Sequence, residues 1–371
     1  MLIRILWNPS LPFSRRAVRL VRYLHKKILG WLTLKARYKL AKKRGFRVDC
    51  IPSRGEISEY QKYWGDFGLF IETETIKKCT SISGGFSKGI IPEDIFSADI
   101  EPSLNPIVDS TFLQNKSVYS KWFDSGAFPN AYFHKINGQF YDPDLKPIGS
   151  WESFLRSGNV PEQGVLKESY ASSGGAGVKF ISSIHELEKV VGFKKNLVFQ
   201  ELIHQHRSLN EVYSESLNTV RACLYRSVID GSLHVLNLSL RMGKDGSLDN
   251  ETAGGIVCSI SSEGALNAFA VDKYGHKFFE HPNSGYCFKN FFLPDFEQCN
   301  ACALRVFSEL PHSSIASLDL CYDDKGKWRV IEVNLEDQTI RFAQYAGKPF
   351  FGPFTDEVRA WVLKNHWAFR R

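Results

Sequence analysis

The stretch IASLDLCYDDKGKWRVIEVN, residues 315–334, predicts a β-hairpin with two acidic side chains facing each other. Both arms are apolar, and the segment DDKG between them has turn composition. Asp319 and Glu332 are expected side by side on adjacent strands, and Asn334, two residues after Glu332, points to the same face. Mg²⁺ prefers such oxygen ligands, so these three residues are candidate metal ligands. The alternative is a solvent-facing hairpin whose acids carry no ligand.

A second cluster lies around a lysine in a short apolar strand. Lys167 belongs to GVLKE, residues 164–168, and the glycine-rich segment SSGGAG, residues 172–177, precedes a further strand. Glycine lets backbone N–H groups approach phosphates closely, and a lysine inside an apolar strand is costly unless it meets an anion. The segment is neither a Walker A loop nor a dinucleotide fingerprint. The alternative is a flexible turn beside a lysine that reaches solvent.

The order of these features is more informative than any one of them. A lysine strand, a glycine-rich hairpin, the strand VFQELI at 198–203 and the acidic hairpin follow one another. This order resembles the ATP-grasp superfamily from about residue 113 to residue 349, beginning at LQNK, 113–116, and GAFP, 126–129. The resemblance implies ATP and Mg²⁺ as cofactors, with Asp319, Glu332 and Asn334 as the metal ligands. The residues it assigns to the nucleotide are Lys116, Lys167, Ser173, Gly174, Gly175, Gly177, Gln200, Glu201, Leu202 and Asn250.

Several central segments resemble one group within that superfamily, the sugar-transfer-associated ATP-grasp proteins. They are SLNTVR at 216–221, LRMG at 240–243, the pair DN at 249–250, GG at 254–255 and QYAGKP at 344–349. The resemblance implies a bacterial surface-polysaccharide pathway. Arg221 and Arg241 are candidate catalytic residues that grip a carboxylate or acyl phosphate, because the guanidinium fork matches planar oxyanions. The alternative for each arginine is a structural ion pair.

The charge of the chain is unevenly distributed. Its 371 residues carry a net charge of +7, yet residues 1–48 hold 14 Lys and Arg and no Asp or Glu. The remainder has 33 basic and 40 acidic residues, so an extended nucleic-acid footprint is not expected. No early apolar stretch has the form of a secretory signal, and no run is long enough to cross a membrane. A cytoplasmic location is therefore expected.

A long basic helix is predicted near the beginning of the chain. Apolar residues recur at helical spacing from Ser14, a possible N-cap, to Gly45, and Gly30 is a candidate break between two helices. Basic residues occupy most of the other positions. Residues 15–47 either contact an anionic membrane peripherally or dock on the body with a solvated basic face.

A shorter helix is predicted over residues 112–125, and Gly126 is expected to end it.

Together these features predict an α+β protein with an ATP-grasp fold. The expected divisions are a basic helical region at 1–110, a small β-rich lid subdomain at 111–203 and a larger α+β subdomain at 204–371. The predicted function is that of an ATP-dependent, ADP-forming carboxylate–amine ligase that acts through an acyl phosphate. Its substrates would be an amino acid and a uronic acid or other glycan precursor, either small or linked to a lipid or nucleotide. The alternatives are a kinase acting on a glycan hydroxyl and a non-catalytic nucleotide-binding module of a membrane-bound glycan complex.

Overall fold

Two antiparallel sheets and a helical region account for most of the chain. The computed structural model describes residues 1–7, 9, 11–68, 70–106, 111–123, 126–170, 177–249 and 253–370. Within these residues the helical and strand segments follow one another as an α+β protein, which confirms the predicted class. No helix in the described ranges combines the length and the apolar character that crossing a bilayer requires.

The first 106 residues are helical. The helices are α1 (Leu2–Leu6), α2 (Phe13–Lys43), α3 (Arg54–Trp64) and α4 (Glu74–Ser83). A further helical stretch without a break consists of Glu93–Ile95, Phe96–Ile100 and Glu101–Leu104. Helix α3 begins at Arg54 because Ser53 and Glu56 form a reciprocal capping box there.

Helix α2 differs from its prediction in two respects. It begins at Phe13 after Pro12, and no side chain caps it, so the predicted Ser14 cap is wrong. It also continues through Gly30, where a Cβ would lie 3.1 Å from the Ser97 hydroxyl oxygen. The glycine therefore permits close packing and does not break the helix.

The predicted end of α2 at Gly45 is confirmed. Gly45 has a φ of +93° and its N–H donates to the Lys42 carbonyl at 3.1 Å. The N–H of Phe46 donates to the Ala41 carbonyl at 3.0 Å, which completes a Schellman motif. Glycine adopts this left-handed conformation without the cost that a side chain would bring.

The smaller sheet has five strands in the order β2-β1-β5-β3-β4. Its strands are β1 (Ala131–Ile136), β2 (Gln139–Tyr141), β3 (Gly164–Glu168), β4 (Lys179–Ile181) and β5 (Leu197–Gln200). The helices Trp151–Arg156 and Ile184–Glu188 cover it, and Phe133, Trp151 and Phe199 pack together at its centre. The predicted helix at 112–125 is wrong, because short turns at Thr111–Gln114, Lys116–Val118 and Tyr119–Trp122 replace it.

The larger sheet has seven antiparallel strands in the order β10-β9-β8-β7-β6-β11-β12. They are β6 (Thr219–Arg226), β7 (Leu233–Met242), β8 (Ile256–Ile260), β9 (Leu266–Val271), β10 (Lys277–Phe278), β11 (Ile315–Tyr322) and β12 (Trp328–Asn334). The α-helix Arg207–Asn210 precedes these strands, Phe296–Ser308 lies between β10 and β11, and Arg341–Gln344 and Thr355–Asn365 follow β12. The predicted hairpin at 315–334 is confirmed as β11 and β12.

The two faces of the larger sheet have different partners. One face packs on the helix Phe296–Ser308 through Leu318 and Leu320. The opposite face has a helix-covered part, in which Tyr225 and Ile315 pack against the region before residue 106. Because side chains alternate along a strand, Arg221 and Asp319 lie on this same face, farther along β6 and β11. The candidate site is thus the part of this face that the N-terminal helices leave uncovered.

A buried carboxyl group under α2 makes stability depend on pH. Burial, reinforced by the negative charge of Asp94, raises the pKa of Glu72 from 4.5 to about 8. Between these two values the folded protein keeps a proton that the unfolded chain loses. The free energy of unfolding therefore falls as pH rises through this window, by at most about 1.4 kcal/mol per pH unit for this group.

We expect Glu72→Gln to remove this part of the pH dependence. The gain in unfolding free energy of the variant over the wild type, measured by urea denaturation, should grow between about pH 5 and about pH 8. Glu101, whose pKa is also raised to about 8, keeps its contribution in both proteins. The control is Glu59→Gln, at an exposed carboxylate paired with Lys88. A difference that stays constant over this pH range would contradict the prediction.

Candidate functional site

A cavity of about 680 Å³ lies between the two sheets. Its volume falls in the usual range of small-molecule sites. The predicted site residues that line it are Lys116, Lys167, Gln200, Glu201, Leu202, Arg241, Asp319 and Glu332. Gly177, Arg221 and Asn334 are not among its lining residues. Ser173, Gly174, Gly175 and Asn250 lie outside the described residues.

The acidic hairpin forms with the predicted register. Asp319 on β11 is directly opposite Glu332 on β12, and a bulge follows at Ile331 because Leu320 pairs with Val330. The bulge turns Ile331 toward the cavity, where it lines the wall next to Glu332. The hairpin alone therefore brings two carboxylates and an apolar side chain to one edge of the site.

Asp319 is the most heavily contacted carboxylate of the site. It is only 3% exposed, and Arg221 binds both of its oxygens, with Nε–Oδ1 and Nη2–Oδ2 distances of 2.8 Å. Arg241 donates to Oδ2 from the next strand, also at 2.8 Å. Burial by itself would raise the pKa of Asp319, but the two guanidinium charges outweigh it and hold the pKa well below its usual range. Asp319 is therefore ionised throughout the physiological range.

A second carboxylate completes this cluster. Asp249 accepts a hydrogen bond from the Thr219 hydroxyl, and its Oδ2 lies 4.0 Å from Nε of Arg241. Burial raises the pKa of Asp249, and the positive charge of Arg241 opposes that shift. The sequence prediction assigned a role to the neighbouring Asn250 and none to Asp249 or Thr219. Thr219 could have been recognised from the sequence as a site residue, because it lies two residues before Arg221 and therefore on the same face of the strand.

Lys116 connects the smaller sheet to the acidic hairpin. Its ammonium is 2.7 Å from Oε1 of Glu332, and its side chain is buried. Its backbone N–H donates to the Ser169 carbonyl at 2.7 Å, and the hydroxyls of Ser117 and Ser169 are also hydrogen-bonded. Lys116 is thus held between β3 and β12, where its charge faces the cavity.

Lys167 has a different environment. Within the described parts of the chain, its ammonium forms no hydrogen bond or ion pair, although it lines the cavity. Burial lowers its pKa, the charge of Glu332 opposes this effect, and the like charge of Lys116 adds to it. A half-buried cation without a contacting anion is costly, so this position favours an anionic ligand.

The segment between the two sheets presents backbone groups to the cavity. The backbone N–H and the carboxylate of Glu201 already have hydrogen-bond partners. The N–H donates to the Asn130 carbonyl at 2.8 Å, and the carboxylate accepts from Arg329 at 3.1 Å. Among the described residues, the backbone groups of Leu202 and Ile203 form no hydrogen bonds. Apolar side chains that line the cavity with them are Val165, Val178, Phe180 and Ile331. A flat heteroaromatic ring fits such a combination of apolar walls and open backbone groups.

Gly177 ends the glycine-rich segment in a conformation that only glycine adopts easily. Its φ is +90°, and a Cβ there would lie 2.6 Å from Oε1 of Glu168. Glu168 is itself paired with Lys195. Gly177 therefore has a local role at the base of the segment, and its predicted contact with phosphate stays a prediction.

The donor atoms at the hairpin fit Mg²⁺ in type. Glu332 uses one carboxylate oxygen for Lys116, and Asn334 donates its Nδ2 to the Ser317 carbonyl at 3.4 Å, which leaves an oxygen on each side chain. The three hydrogen bonds from the arginines leave Asp319 less available. Among the described residues no group of three or more His, Cys, Asp or Glu forms a complete metal site. A magnesium ion held here would need phosphate oxygens as well, which is its usual coordination.

The charges of the site favour a polyphosphate. Four cationic and three carboxylate side chains converge on the region: Lys116, Lys167, Arg221, Arg241, Asp249, Asp319 and Glu332. The cavity wall also carries hydroxyl, amide and carboxylate groups from Asn210, Ser214, Glu215 and Ser216.

A family model matches the segment of the chain that contains most of the site residues. Residues 179–359 match the family described as sugar-transfer associated ATP-grasp. The predicted resemblance is therefore confirmed over these residues, which include Arg221, Arg241 and the acidic hairpin. A comparison with curated proteins gave no match.

Solved structures of low sequence identity resemble the chain. D-alanyl-alanine synthetase A from Vibrio cholerae O1 biovar eltor strain N16961 is 13% identical, with a TM-score of 0.40 over 68% of this chain and 65% of that one. The VanG D-Ala:D-Ser ligase from Enterococcus faecalis is 11% identical, with a TM-score of 0.40 over 69% and 62%. The biotin carboxylase domain of the Hydrogenobacter thermophilus 2-oxoglutarate carboxylase, in complex with MgADP and bicarbonate, is 13% identical, with a TM-score of 0.36 over 63% and 44%. The chain spans less than two thirds of each of these structures.

We expect Asp319→Asn to destabilise the protein strongly. The substitution removes the charge that two buried guanidinium groups contact, and the loss of one partner in such a network costs about 3 kcal/mol. Urea denaturation measures this loss. The control is Asp324→Asn in the exposed turn of the same hairpin, where the cost should be small. Equal and small effects at both positions would contradict the central place of Asp319.

Proposed function

We propose that this chain, whose residues 179–359 match the family described as sugar-transfer associated ATP-grasp, binds ATP with Mg²⁺ between its two sheets and activates a carboxylate for amide formation. The observation that carries the proposal is Lys167, a cavity-lining cation with no contacting anion among the described residues. Phosphate would supply that anion. Lys116, held near Glu332, would supply a second positive charge at the same end of the cavity.

The binding mode follows from the walls of the cavity. Adenine would lie between Val165, Phe180 and Ile331, with its edge against the open backbone groups of Leu202 and Ile203. The triphosphate would then extend toward Lys167 and the acidic hairpin. Magnesium at Glu332 and Asn334 would neutralise phosphate oxygens when bound.

The reaction requires a carboxylate beside the terminal phosphate. One carboxylate oxygen attacks the γ-phosphorus, and the bond to the bridging oxygen of ADP breaks, which gives an acyl phosphate. An amine then attacks the carbonyl carbon, phosphate leaves with the bonding electrons, and the nitrogen loses a proton. Arg241 lines this part of the cavity and could hold the acyl oxygens with its guanidinium fork. The reaction would require that water be excluded while the amine attacks, because water would hydrolyse the acyl phosphate.

The substrate class is proposed from the polar part of the cavity wall. The hydroxyl groups of Ser214 and Ser216, the amide of Asn210 and the carboxylate of Glu215 are suited to a polyhydroxylated acceptor. A sugar acid would combine such hydroxyls with the reacting carboxylate, and an amino acid would supply the amine. A place in bacterial surface-polysaccharide or capsule synthesis agrees with the family description. The acceptor would be a free, nucleotide-linked or lipid-linked sugar.

We expect Mg·ATP to raise the melting temperature of the wild type and not that of Lys167→Met. A ligand at about 100 times its Kd adds about 2.7 kcal/mol of stability, a shift easily seen by differential scanning fluorimetry. Because methionine removes an uncompensated buried charge, the unliganded variant should be at least as stable as the wild type.

The control for this experiment is Lys146→Met, at an exposed lysine in a turn of the same subdomain. Its shift with Mg·ATP should equal that of the wild type. A Lys167→Met protein that is destabilised without ligand, yet keeps the full shift, would show that the lysine is structural.

We expect hydroxylamine to trap the activated carboxylate. With ATP, Mg²⁺ and a panel of uronic acids and amino acids, a ligase releases ADP and gives a hydroxamate, whereas a kinase acting on a hydroxyl gives a stable phosphate ester and no hydroxamate. Arg241→Lys should lower ADP release at least about 100-fold while the Mg·ATP shift persists. The matched control is Arg156→Lys at an exposed position. Unchanged turnover in Arg241→Lys would remove this residue from the mechanism.

A further inference from the structure

Helix α2 docks on the body through one face only. Tyr23, Leu34 and Tyr38 are buried on that face. Lys27 is paired there with Asp99 at 2.8 Å and Asp94 at 3.4 Å, and Arg37 is paired with Glu93. The acidic residues of the body thus neutralise the basic residues on the inward face.

The outward face of α2, defined by Val18, Val21, Ile28, Leu29 and Leu32, is apolar and exposed. These side chains are 51%, 65%, 56%, 54% and 50% exposed, and at 100° per residue they fall within an arc of about 100°. Phe13 at the start of the helix is 77% exposed. The exposed His25 falls within the same arc, between Val21 and Ile28. An exposed stripe of this length that is apolar apart from one histidine indicates a contact surface rather than chance exposure.

Positive charge borders this stripe along one side and beyond one end. Arg15 and Arg22 are exposed along one side of it, and Lys39 and Lys43 continue its line toward the end of the helix. None of these four residues forms an ion pair or hydrogen bond with any described residue. No acidic residue precedes Asp49. The outward face therefore offers an apolar surface with uncompensated cations at its edges.

We propose that the outward face of α2 docks on an anionic lipid surface, with the helix axis parallel to the membrane plane. The apolar stripe would enter the boundary between headgroups and acyl chains, and the flanking Arg and Lys side chains would contact lipid phosphates. A second copy of the chain fits less well, because a symmetric contact would bring the same uncompensated cations together. The surface is separate from the ATP cavity, and the inference does not depend on the proposed reaction.

The test is co-sedimentation of the full chain with vesicles, without nucleotide. The wild type should bind vesicles of phosphatidylcholine mixed with phosphatidylglycerol, bind phosphatidylcholine alone at least about tenfold more weakly, and dissociate as salt is raised. The triple variant Val21→Glu, Ile28→Glu, Leu32→Glu should lose at least about tenfold in binding to the anionic vesicles. All three side chains are exposed, so its thermal unfolding should stay close to that of the wild type.

The matched control is the triple variant Phe70→Glu, Ile229→Glu, Phe292→Glu. It introduces the same charges at exposed apolar residues elsewhere, which are 85%, 78% and 64% exposed. It should bind within about twofold of the wild type, apart from a weak effect of net charge. Three outcomes would each overturn the proposal. The two triple variants could lose binding equally, or the wild type could bind neutral and anionic vesicles equally. The wild type could also bind no vesicles and instead form a dimer that the helix variant dissociates.

Discussion

A buried carboxylate shared by two guanidinium groups organises the centre of this protein. Asp319 lies on β11, Arg221 on β6 and Arg241 on β7, so one set of hydrogen bonds crosses three adjacent strands. Ion pairs of this kind are stable in an apolar sheet only when every partner is present. On its other side β11 pairs with β12, so that Asp319 lies opposite Glu332 and both carboxylates line the cavity.

The arrangement also explains how one sheet face serves two purposes. Apolar residues such as Tyr225 and Ile315 pack against the N-terminal helices, and the charged residues farther along the same strands remain open to the cavity. The helical region is therefore part of the core of the larger sheet. Its helix α2 uses acidic partners on the inward face and leaves its other face to solvent.

The cationic side chains of the site fall into two groups, which differ in whether they contact a carboxylate. Lys116 and the two arginines contact carboxylates, so their charges are largely compensated in the absence of ligand. Lys167 has no such contact among the described residues, and burial lowers its pKa. An anion entering the cavity would therefore gain most from Lys167, whereas the other cations mainly shape and stabilise the site.

Local pattern in the sequence determined several features of this protein. The bounds of β12, the end of α2 at Gly45 and the pairing of Asp319 with Glu332 follow from alternation, turn composition and glycine at a left-handed position, all of which act over a few residues. The wrong predictions at Ser14, Gly30 and 112–125 also rested on local signals. At Gly30 the helix continues, and the missing side chain lets the Ser97 hydroxyl approach closely, which is a contact between distant segments.

Only the tertiary structure decided which charges meet. Arg221 and Arg241 are 98 and 78 residues away from Asp319 in the chain, and no spacing rule connects them. The same holds for Thr219 with Asp249 and for Lys116 with Glu332. Strand order brings these pairs together, and strand order depends on how whole strands bury their apolar faces. The residue types of the site were therefore readable from the sequence, whereas their long-range partners, and the position of Lys167 in the cavity without a contacting anion among the described residues, were not.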